Sequence, residues 1–463
     1  MNQPRIPDPE SIYLRLPIPL QHVACSYVGW RTERTRYGRD FDHLLAEAEL
    51  RSSWTQEQTE DFRDRRLRET IEYCGQNVPY YQTLWQQHGV DPASVRGLAD
   101  LERIPILSKA DAQDAGSKLF SLVDATSPTR MAHTSGTTGG ALRFPVSLRA
   151  TQEQWAVWWR FRGWHGIRKG IWSGLFAGRS IVPAGQTKPP FWRINRPGRQ
   201  ILFSGYHMSE QNLGSYVGAL RRYRPPWLHG YPSLLSLLAS YVLENGLDLG
   251  YSLRWVTTGA ENLMPHQIAI IEQAFGIKPL QHYGMAEGVA NVSECEHGGL
   301  HVDEDYAAVE FIGDDDSPGC RVVGTGFANR AAVFVRYDTQ DLAVLSRDRS
   351  CSCGRPGRLL ERIDGRLEDY VVLVSGARVG RMDHIFKDMV NIREAQIRQR
   401  RQGEMTILVV RGDAYTDHDE RALLGETRKR VGEDMRVSIE YVSRLTRSST
   451  GKLRFVVSEM TPS

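Results

Sequence analysis

Short apolar segments alternate with helical segments between about residues 170 and 330, and this alternation constrains the fold more than any other feature. The strand-like segments end in glycine or a polar residue and span 170–178, 199–205, 253–260 and 278–284. The segments between them carry apolar residues at helical spacing and span 211–223, 232–245 and 265–276. Strands that alternate with helices can be covered on both faces, so the pattern predicts a layered α/β domain.

The flanking parts of the chain predict a larger organisation around that domain. Residues 59–78 predict a helix that ends before Pro79. The aromatic segment 155–170 is typical of a buried helix, with an aromatic wall for a substrate as the alternative. Strand-like segments predominate from about 307, at 307–313, 332–339 and 341–346. We therefore predict a large α/β N-terminal domain with a β-rich subdomain (1–364) and a small, mobile α+β C-terminal domain (365–463).

Composition excludes several classes of protein. The 463 residues are 41% apolar and carry a net charge of only +3, so no basic field predicts a nucleic-acid partner. No apolar run approaches the roughly 18 residues that span a bilayer, and the first residues lack the apolar core of a signal peptide. Six cysteines in such a long chain do not make a disulfide scaffold. We expect a soluble, cytoplasmic protein.

A stretch rich in hydroxyl residues and glycine, "HTSGTTGGALRFP", occupies residues 133–145. Backbone N–H groups and hydroxyls in such a turn can surround the oxygens of a polyphosphate, and Arg143 adds a cation. The stretch lacks the Gly-Lys-Ser/Thr ending of a Walker loop. By itself it indicates either a phosphate loop or an ordinary surface turn.

This stretch resembles the phosphate loop of the acyl-adenylate-forming superfamily, and further motifs of that superfamily follow in its order. They resemble its adenine, magnesium, ribose, hinge and catalytic-lysine motifs, at 257–262, 281–288, 336–342, 364–379 and 447–454. The resemblance covers roughly residues 65–455. Segments 76–111 and 294–305 are similar to phenylacetate–CoA ligases and their capsule-biosynthesis relatives.

The resemblance implies ATP and Mg²⁺ as cofactors and assigns contacts to ATP. The phosphate loop contributes Ser135, Gly136, Thr137, Thr138, Gly139 and Arg143. The adenine pocket contributes Gly259, Ala260, Glu261, Tyr283 and Gly284. Glu287 is the implied magnesium ligand, Asp341 accepts the ribose hydroxyls, Arg366 contacts ribose and phosphate, and Lys452 stabilises charge during adenylation.

The resemblance also implies a second half-reaction with coenzyme A. Glu368 falls at the hinge position, and Gly376 matches the glycine beside the tunnel for the pantetheine arm. The chain departs from the superfamily pattern at Ala286, where Thr or Ser is usual, and at Gln340, where Gly is common. Arg143 is the cation that stands in for the lysine usually found in the phosphate loop.

Cysteine and histidine are concentrated in two short segments. Cys295 and His301 lie in the first, and Cys351 and Cys353 in the second. These four side chains predict a structural tetrahedral Zn²⁺ site, with His297 as a substitute ligand. The alternative is a group of reduced, partly buried thiols without metal.

The sequence predicts an ATP-dependent, AMP-forming ligase for an aryl or other apolar carboxylic acid, with coenzyme A as acceptor. Residues 228–235 with Tyr206 are a candidate acyl wall. An amine, hydroxyl or carrier-protein acceptor is the first alternative. A catalytically degenerate binding protein is the second. A homodimer is possible because dimers are common among relatives.

Overall fold

The structure, a computed structural model, describes residues 9–123, 129–133, 142–261, 263, 265–313, 319–364, 371–379, 382–386, 391–411, 415–443, 445 and 456–460. The α-helices are α1 (Pro9–Arg15), α2 (Ile18–Arg36), α3 (Phe41–Arg51), α4 (Gln56–Asn77), α5 (Pro79–His88), α6 (Lys109–Ala115), α7 (Leu148–Trp164), α8 (Glu210–Tyr223), α9 (Pro232–Glu244), α10 (Pro265–Phe275) and α11 (Asp417–Val431).

The strands, in chain order, are β1 (Thr129–His133), β2 (Arg143–Ser147), β3 (Ser173–Ala177), β4 (Trp192–Asn195), β5 (Gln200–Ser204), β6 (Trp227–Gly230), β7 (Trp255–Thr258), β8 (Leu280–Gly284), β9 (Asn291–Glu294), β10 (Leu300–Val302), β11 (Ala307–Ile312), β12 (Cys320–Gly326), β13 (Tyr337–Leu345), β14 (Leu359–Asp364), β15 (Val371–Val372), β16 (Arg378–Val379), β17 (Ile392–Arg401), β18 (Glu404–Arg411), β19 (Arg436–Tyr441) and β20 (Val456–Ser458).

A large mixed sheet organises the first part of the chain. Within the described residues its strand order is β11-β12-β13-β14-β10-β9-β8-β7-β6-β3-β5-β4. The block β5-β3-β6-β7-β8 is parallel. Antiparallel strands extend it on both sides. The four strand-like segments predicted between residues 170 and 284 are β3, β5, β7 and β8, four of these five parallel strands. The predicted α/β class with its β-rich part is confirmed.

Helices cover the parallel block on both faces because side chains alternate along each strand. In β6, Leu228 faces the core formed with α8, α9 and α10, whereas Trp227 packs against Trp159 of α7. The predicted aromatic helix is therefore observed as α7. Among the described residues, no helix is both long enough and apolar enough to cross a bilayer.

Local signals explain where the early helices begin and end. Thr55 caps α4 in a capping box with Gln58. Pro79 cannot donate a backbone hydrogen bond, so α4 stops before it and α5 begins with it. The predicted end of the helix at residue 78 is thus confirmed, and Pro79 also starts the next helix.

Strand β13 differs from the two separate strands that the sequence predicts at 332–339 and 341–346. It is continuous from Tyr337 to Leu345, and the segment before it is not a strand. Arg336 adopts a positive φ of 50° and places its guanidinium on Glu310, 2.7 Å away. This buried ion pair prevails over the apolar pattern of the segment.

Buried ion pairs attach the N-terminal helices to the sheet. Arg160 of α7 contacts Asp303 at 2.6 Å and Asp305 at 2.7 Å, and Arg51 of α3 contacts Asp305 at 2.6 Å. Arg63 of α4 contacts the neighbouring Glu304 at 2.8 Å. Removing one partner of such a pair leaves a buried charge and costs about 3–5 kcal/mol. The segment between β10 and β11 therefore fixes three helices at once.

The C-terminal part forms a small α+β domain. Its four strands have the order β19-β18-β17-β20 within the described residues, and α11 covers them through Leu423. Tyr206 of the large domain is buried in the same apolar cluster as Val371 and Val379 of the hairpin β15–β16. The fold class is as predicted. The boundary between 364 and 365 stays a prediction because residues 365–370 lie outside the described part.

Candidate active site

The carboxyl ends of the parallel strands gather the candidate nucleotide-binding residues. Gly259, Ala260 and Glu261 follow β7, and Tyr283 and Gly284 end the neighbouring strand β8. Ligands of open α/β sheets bind at the carboxyl ends of the strands. The two predicted segments of the adenine pocket are therefore adjacent at the edge where a ligand is expected.

The predicted ribose ligand lies beside the predicted adenine ligand. The Tyr283 hydroxyl donates a hydrogen bond of 2.7 Å to the Asp341 carboxylate, although 58 residues separate them. The backbone N–H of Asp341 donates to Thr339 Oγ1 at 3.1 Å. Gln340, which replaces a common glycine, has a φ of 64°, a conformation in which glycine meets no steric cost. Gln340 therefore keeps the left-handed backbone conformation that glycine adopts easily, although the side chain differs from the superfamily pattern.

Glu287, three residues after Gly284, lines a small pocket. Gln154 of α7, Tyr306 and Asn329 also line it. Gln154 donates to the carbonyl of Met285 at 2.8 Å, which holds the segment after β8 against α7. A carboxylate among side-chain oxygens is a donor set that Mg²⁺ accepts. The predicted metal role of Glu287 fits this setting.

Several predicted site residues lie outside the described part of the chain. They are Ser135, Gly136, Thr137, Thr138, Gly139, Arg366, Glu368 and Lys452. The strands that flank the glycine-rich stretch are described: β1 and β2 pair antiparallel, with His133 opposite Arg143. Arg143 is exposed at the start of β2. The glycine-rich stretch therefore connects the two strands of a hairpin.

Gly376 occupies the turn between β15 and β16. Its φ is 83°, and its N–H donates to the carbonyl of Leu373 at 2.9 Å. A methyl group added there meets only Gln402, whose Nε2 lies 3.9 Å away. The turn thus requires glycine for its backbone and leaves open space above it.

Some residues of the candidate acyl wall are buried in the core, and others lie at the carboxyl end of β3. Leu228, Leu234 and Leu235 are buried in the core formed with α8, α9 and α10. Tyr206 instead donates to the carbonyl of Gly178 at 3.0 Å, and the Tyr231 ring lies 3.4 Å from where a side chain on Gly178 would begin. The two tyrosines therefore lie at the carboxyl end of β3.

An arginine cluster, defined as Arg36, Arg130, Arg162 and Arg179, lies next to this edge and was not predicted. The guanidinium of Arg36 stacks on the Trp155 ring at 3.9 Å from its centroid, and that of Arg162 lies 5.5 Å from the same centroid. A sequence signal existed for Arg162, because a charged residue in a helix predicted to be buried needs a partner.

The histidines near the arginine cluster are uncharged. Burial lowers the pKa of His229 to about 3, and Arg162 acts in the same direction. Burial and Arg162 likewise lower the pKa of His282 to about 3. At neutral pH both imidazoles are therefore neutral, and the positive charge of the region comes from the arginines.

The predicted metal ligands meet at one point away from this cleft. The ligand atoms of Cys295, His301, Cys351 and Cys353 lie within 4.8 Å of one another. The Sγ atoms of Cys295 and Cys351 are 3.6 Å apart, too far for a disulfide of about 2.05 Å. Zn–S bonds of about 2.3 Å in a tetrahedron place sulfurs ~3.8 Å apart. The spacing fits zinc.

The histidine of this group has the orientation that a metal ligand needs. His301 Nδ1 donates to the carbonyl of Pro356 at 2.9 Å, so Nε2 carries the lone pair. Nε2 faces Cys353 Sγ at 3.3 Å. His297, the substitute ligand, instead hydrogen-bonds to Ser352 Oγ at 2.7 Å. The structure therefore assembles the preferred set.

Comparisons with known proteins agree with the geometry. A family described as the CapK C-terminal domain matches residues 373–459. The chain is 23% identical to Protein CapK of Staphylococcus aureus, over 97% of this chain and 99% of that protein. It is 28% identical to the phenylacetate-coenzyme A ligase of Thermus thermophilus, over 67% of this chain and 71% of that enzyme.

A solved structure has the same fold. It is 2-hydroxyisobutyryl-CoA ligase in complex with 2-HIB-AMP and CoA, with a TM-score of 0.55, 20% identity, and coverage of 89% of this chain and 91% of that one. The ordered motifs, the fold and the full-length similarity to CapK point to one conclusion. The similarities support a place for this chain in the acyl-adenylate-forming superfamily, in its phenylacetate–CoA ligase-like branch.

Proposed function

We propose that this protein uses ATP to convert a carboxylic acid into an acyl-adenylate and then transfers the acyl group to coenzyme A. The observation that carries the proposal is the hydrogen bond between Tyr283 and Asp341 at the carboxyl ends of β7 and β8. It joins two motifs that the superfamily uses for one nucleotide. An aryl or other apolar acid is the substrate expected from the resemblance alone.

In the first half-reaction, a carboxylate oxygen of the acid attacks the α-phosphorus of ATP and pyrophosphate leaves. Asp341 accepts the ribose hydroxyls, and Tyr283 holds that carboxylate in place and lines the adenine site. Arg143 and Lys452 are proposed to offset the charge that develops on the phosphates. Glu287 would hold Mg²⁺, which neutralises phosphate charge when bound.

In the second half-reaction, the thiol of coenzyme A attacks the acyl carbon, its proton is released, and AMP leaves. Gly376 is proposed to border the path of the pantetheine arm, where its turn leaves open space. The small domain is proposed to rotate about a hinge at Glu368 between the two steps. A cytoplasmic location and a homodimer stay predictions.

Pyrophosphate exchange tests the function. Purified full-length protein with ATP, Mg²⁺ and a panel of carboxylic acids is expected to exchange labelled pyrophosphate into ATP in an acid-dependent manner. Coenzyme A added afterwards is expected to give a thioester and stoichiometric AMP. Exchange followed by transfer only to an amine, hydroxyl or carrier protein would refute coenzyme A as acceptor. Absence of exchange with every acid, under conditions where ATP binds, would favour a binding protein.

We also propose a structural Zn²⁺ at Cys295, His301, Cys351 and Cys353. The distances among their ligand atoms and the orientation of His301 support it. All four tetrahedral positions would be filled by protein, so the metal would have no place for water and no part in the reaction.

A further inference from the structure

The arginine cluster draws its members from four separate parts of the chain. Arg36 ends α2, Arg130 lies in β1, Arg162 lies in α7, and Arg179 follows β3. Arg162 is buried, Arg36 is half-buried, and the other two are exposed. Within the described part of the chain, none of the four guanidiniums has a carboxylate oxygen within 4.0 Å. Arg162 and Arg36 are the unusual members, because a desolvated charge is costly unless it is paired and both lie beside two further cations.

Contacts connect this cluster to the candidate nucleotide site. The Trp155 ring, on which Arg36 stacks, lies 4.8 Å from the Trp158 ring. Trp158 Nε1 donates to Asn291 at 2.9 Å and lies 3.2 Å from where a side chain on Gly284 would begin. Gly284 is a predicted adenine-pocket residue. The arginines are therefore separated from the nucleotide site by two tryptophan rings.

The cluster also borders the edge where the acid has to lie. Arg179 directly follows Gly178, against which Tyr206 and Tyr231 pack at the carboxyl end of β3. Arg130 lies in the strand that leads into the glycine-rich stretch. In the proposed arrangement, the carboxylate of the acid lies at the α-phosphate and its distal end lies at the tyrosines and the arginines.

The charges of the cluster act on one another. Burial lowers the pKa of Arg36, and together with the nearby charges of Arg179, Arg130 and Arg162 it brings that pKa to about 10. Burial also lowers the pKa of Arg162 to about 10. The aromatic rings offset part of this cost, since a cation on a ring gains about 0.5–2 kcal/mol. They cannot remove the repulsion between like charges.

Within the described part of the chain, Glu33 is a carboxylate whose pKa responds to the cluster. Burial raises the pKa of Glu33, while Lys169 and Arg36 oppose that effect. Lys169 faces the rings of Tyr37 and Phe41 at 4.3 and 4.5 Å. Glu33 offsets charge on Lys169 and on Arg36, and the four arginines together keep a positive excess over this one carboxylate.

We infer that the acid activated by this enzyme carries a second anionic group, a carboxylate or a phosphate, which the arginine cluster binds. The bidentate guanidinium geometry suits both groups. This inference rests on the proposed function and departs from the apolar acid that the resemblance implies. The first carboxylate is adenylated at the phosphate site, and the second stays unreacted among the arginines.

Matched pairs of acids test the inference. The full-length protein is assayed by pyrophosphate exchange with glutarate, terephthalate and 3-phosphonopropanoate, and with glutaric acid monoamide, 4-carbamoylbenzoate and phenylacetate. We expect kcat/KM at least tenfold higher for one or more of the dianionic acids than for every neutral-ended acid. Preference for 3-phosphonopropanoate over the dicarboxylates would assign the second group as phosphate, and the reverse would assign a carboxylate. A neutral-ended acid that equals or exceeds all dianionic acids would overturn the inference and leave the proposed function standing.

Variants locate the effect. Arg36→Gln and Arg179→Gln are expected to reduce the preference for the dianionic acid at least tenfold with an unchanged KM for ATP. Arg34→Gln is the control, because it removes the same charge from the same helix where the side chain stacks on exposed Trp30 at 4.8 Å. An undiminished preference in both test variants, with thermal midpoints like that of the wild type, would contradict the role of the cluster.

Direct binding separates this inference from the proposed function. Calorimetric titration of the same acids in the presence of AMP requires no turnover. If no acid supports exchange but a dianionic acid binds and Arg36→Gln weakens it at least tenfold, the inference stands and the ligase function fails. If no dianionic acid either binds or exchanges, the inference fails.

Discussion

The Tyr283 hydroxyl donates to Asp341 across 2.7 Å, and this contact makes a prediction about single side chains. Asp341→Asn replaces an ionised acceptor, and hydrogen bonds to charged groups contribute about 1.5–3 kcal/mol. We expect KM for ATP to rise roughly 10- to 100-fold in pyrophosphate exchange. Tyr283→Phe should raise the KM for ATP less than Asp341→Asn does, because the Asp341 carboxylate remains. Asp348→Asn, on the exposed segment after β13, is the control; an equal effect there would refute the assignment.

Residue chemistry could be predicted where a motif fixes spacing. The ligand set with His301 rather than His297 was preferred from sequence, and the structure assembles that set. The arginine cluster could not be predicted in this way, because its members lie more than a hundred residues apart in places and carry no local pattern. Arg36 meets Arg162 only after α2 packs near α7.

At the scale of elements, the hairpin β9–β10 and the loop at 351–357 are joined through the proposed zinc site. Cys353→Ser is expected to lose one equivalent of zinc and to lower the thermal midpoint. A ligand present at a thousand times its Kd stabilises by about 4 kcal/mol, so loss of zinc should be measurable. Cys320→Ser, on β12 outside the cluster, should keep both metal and midpoint. Elemental analysis that finds no zinc in wild-type protein purified without chelator would remove the site.

Four of the five strands of the parallel block could be predicted because each is a short apolar segment that ends in glycine or a polar residue; β6 was not among them. The start of strand β13 could not be predicted. The buried ion pair between Arg336 and Glu310 holds Arg336, the residue before the strand, at a positive φ. Helices α1 to α3 could not be predicted from local sequence either. Their positions depend on tertiary ion pairs such as Arg51 with Asp305, which no window of sequence contains.

At the scale of the molecule, the two half-reactions should separate by mutation. Lys452→Ala is expected to lower pyrophosphate exchange at least 100-fold, as for loss of a group that stabilises transition-state charge, and to spare thioester formation from supplied acyl-adenylate. Gly376→Val should spare pyrophosphate exchange and lower thioester formation, since a branched side chain strains the turn at a φ of 83° and fills the open space above it. Comparable exchange in Lys452→Ala and wild type would refute the lysine role. Thioester formation at the wild-type rate in Gly376→Val would refute the tunnel role.

The helix α2 that carries Arg36 lies outside the stretch of roughly 65–455 that carries the superfamily motifs. Ion pairs from α3 and α4 to the sheet hold this N-terminal region in place. Helix α2, which contributes Arg36 to the proposed acid site, is therefore encoded separately from the stretch that carries the proposed adenylation residues. On the proposed assignment, exchange of helix α2 would change which acid is chosen, while the residues that carry the superfamily motifs would stay the same.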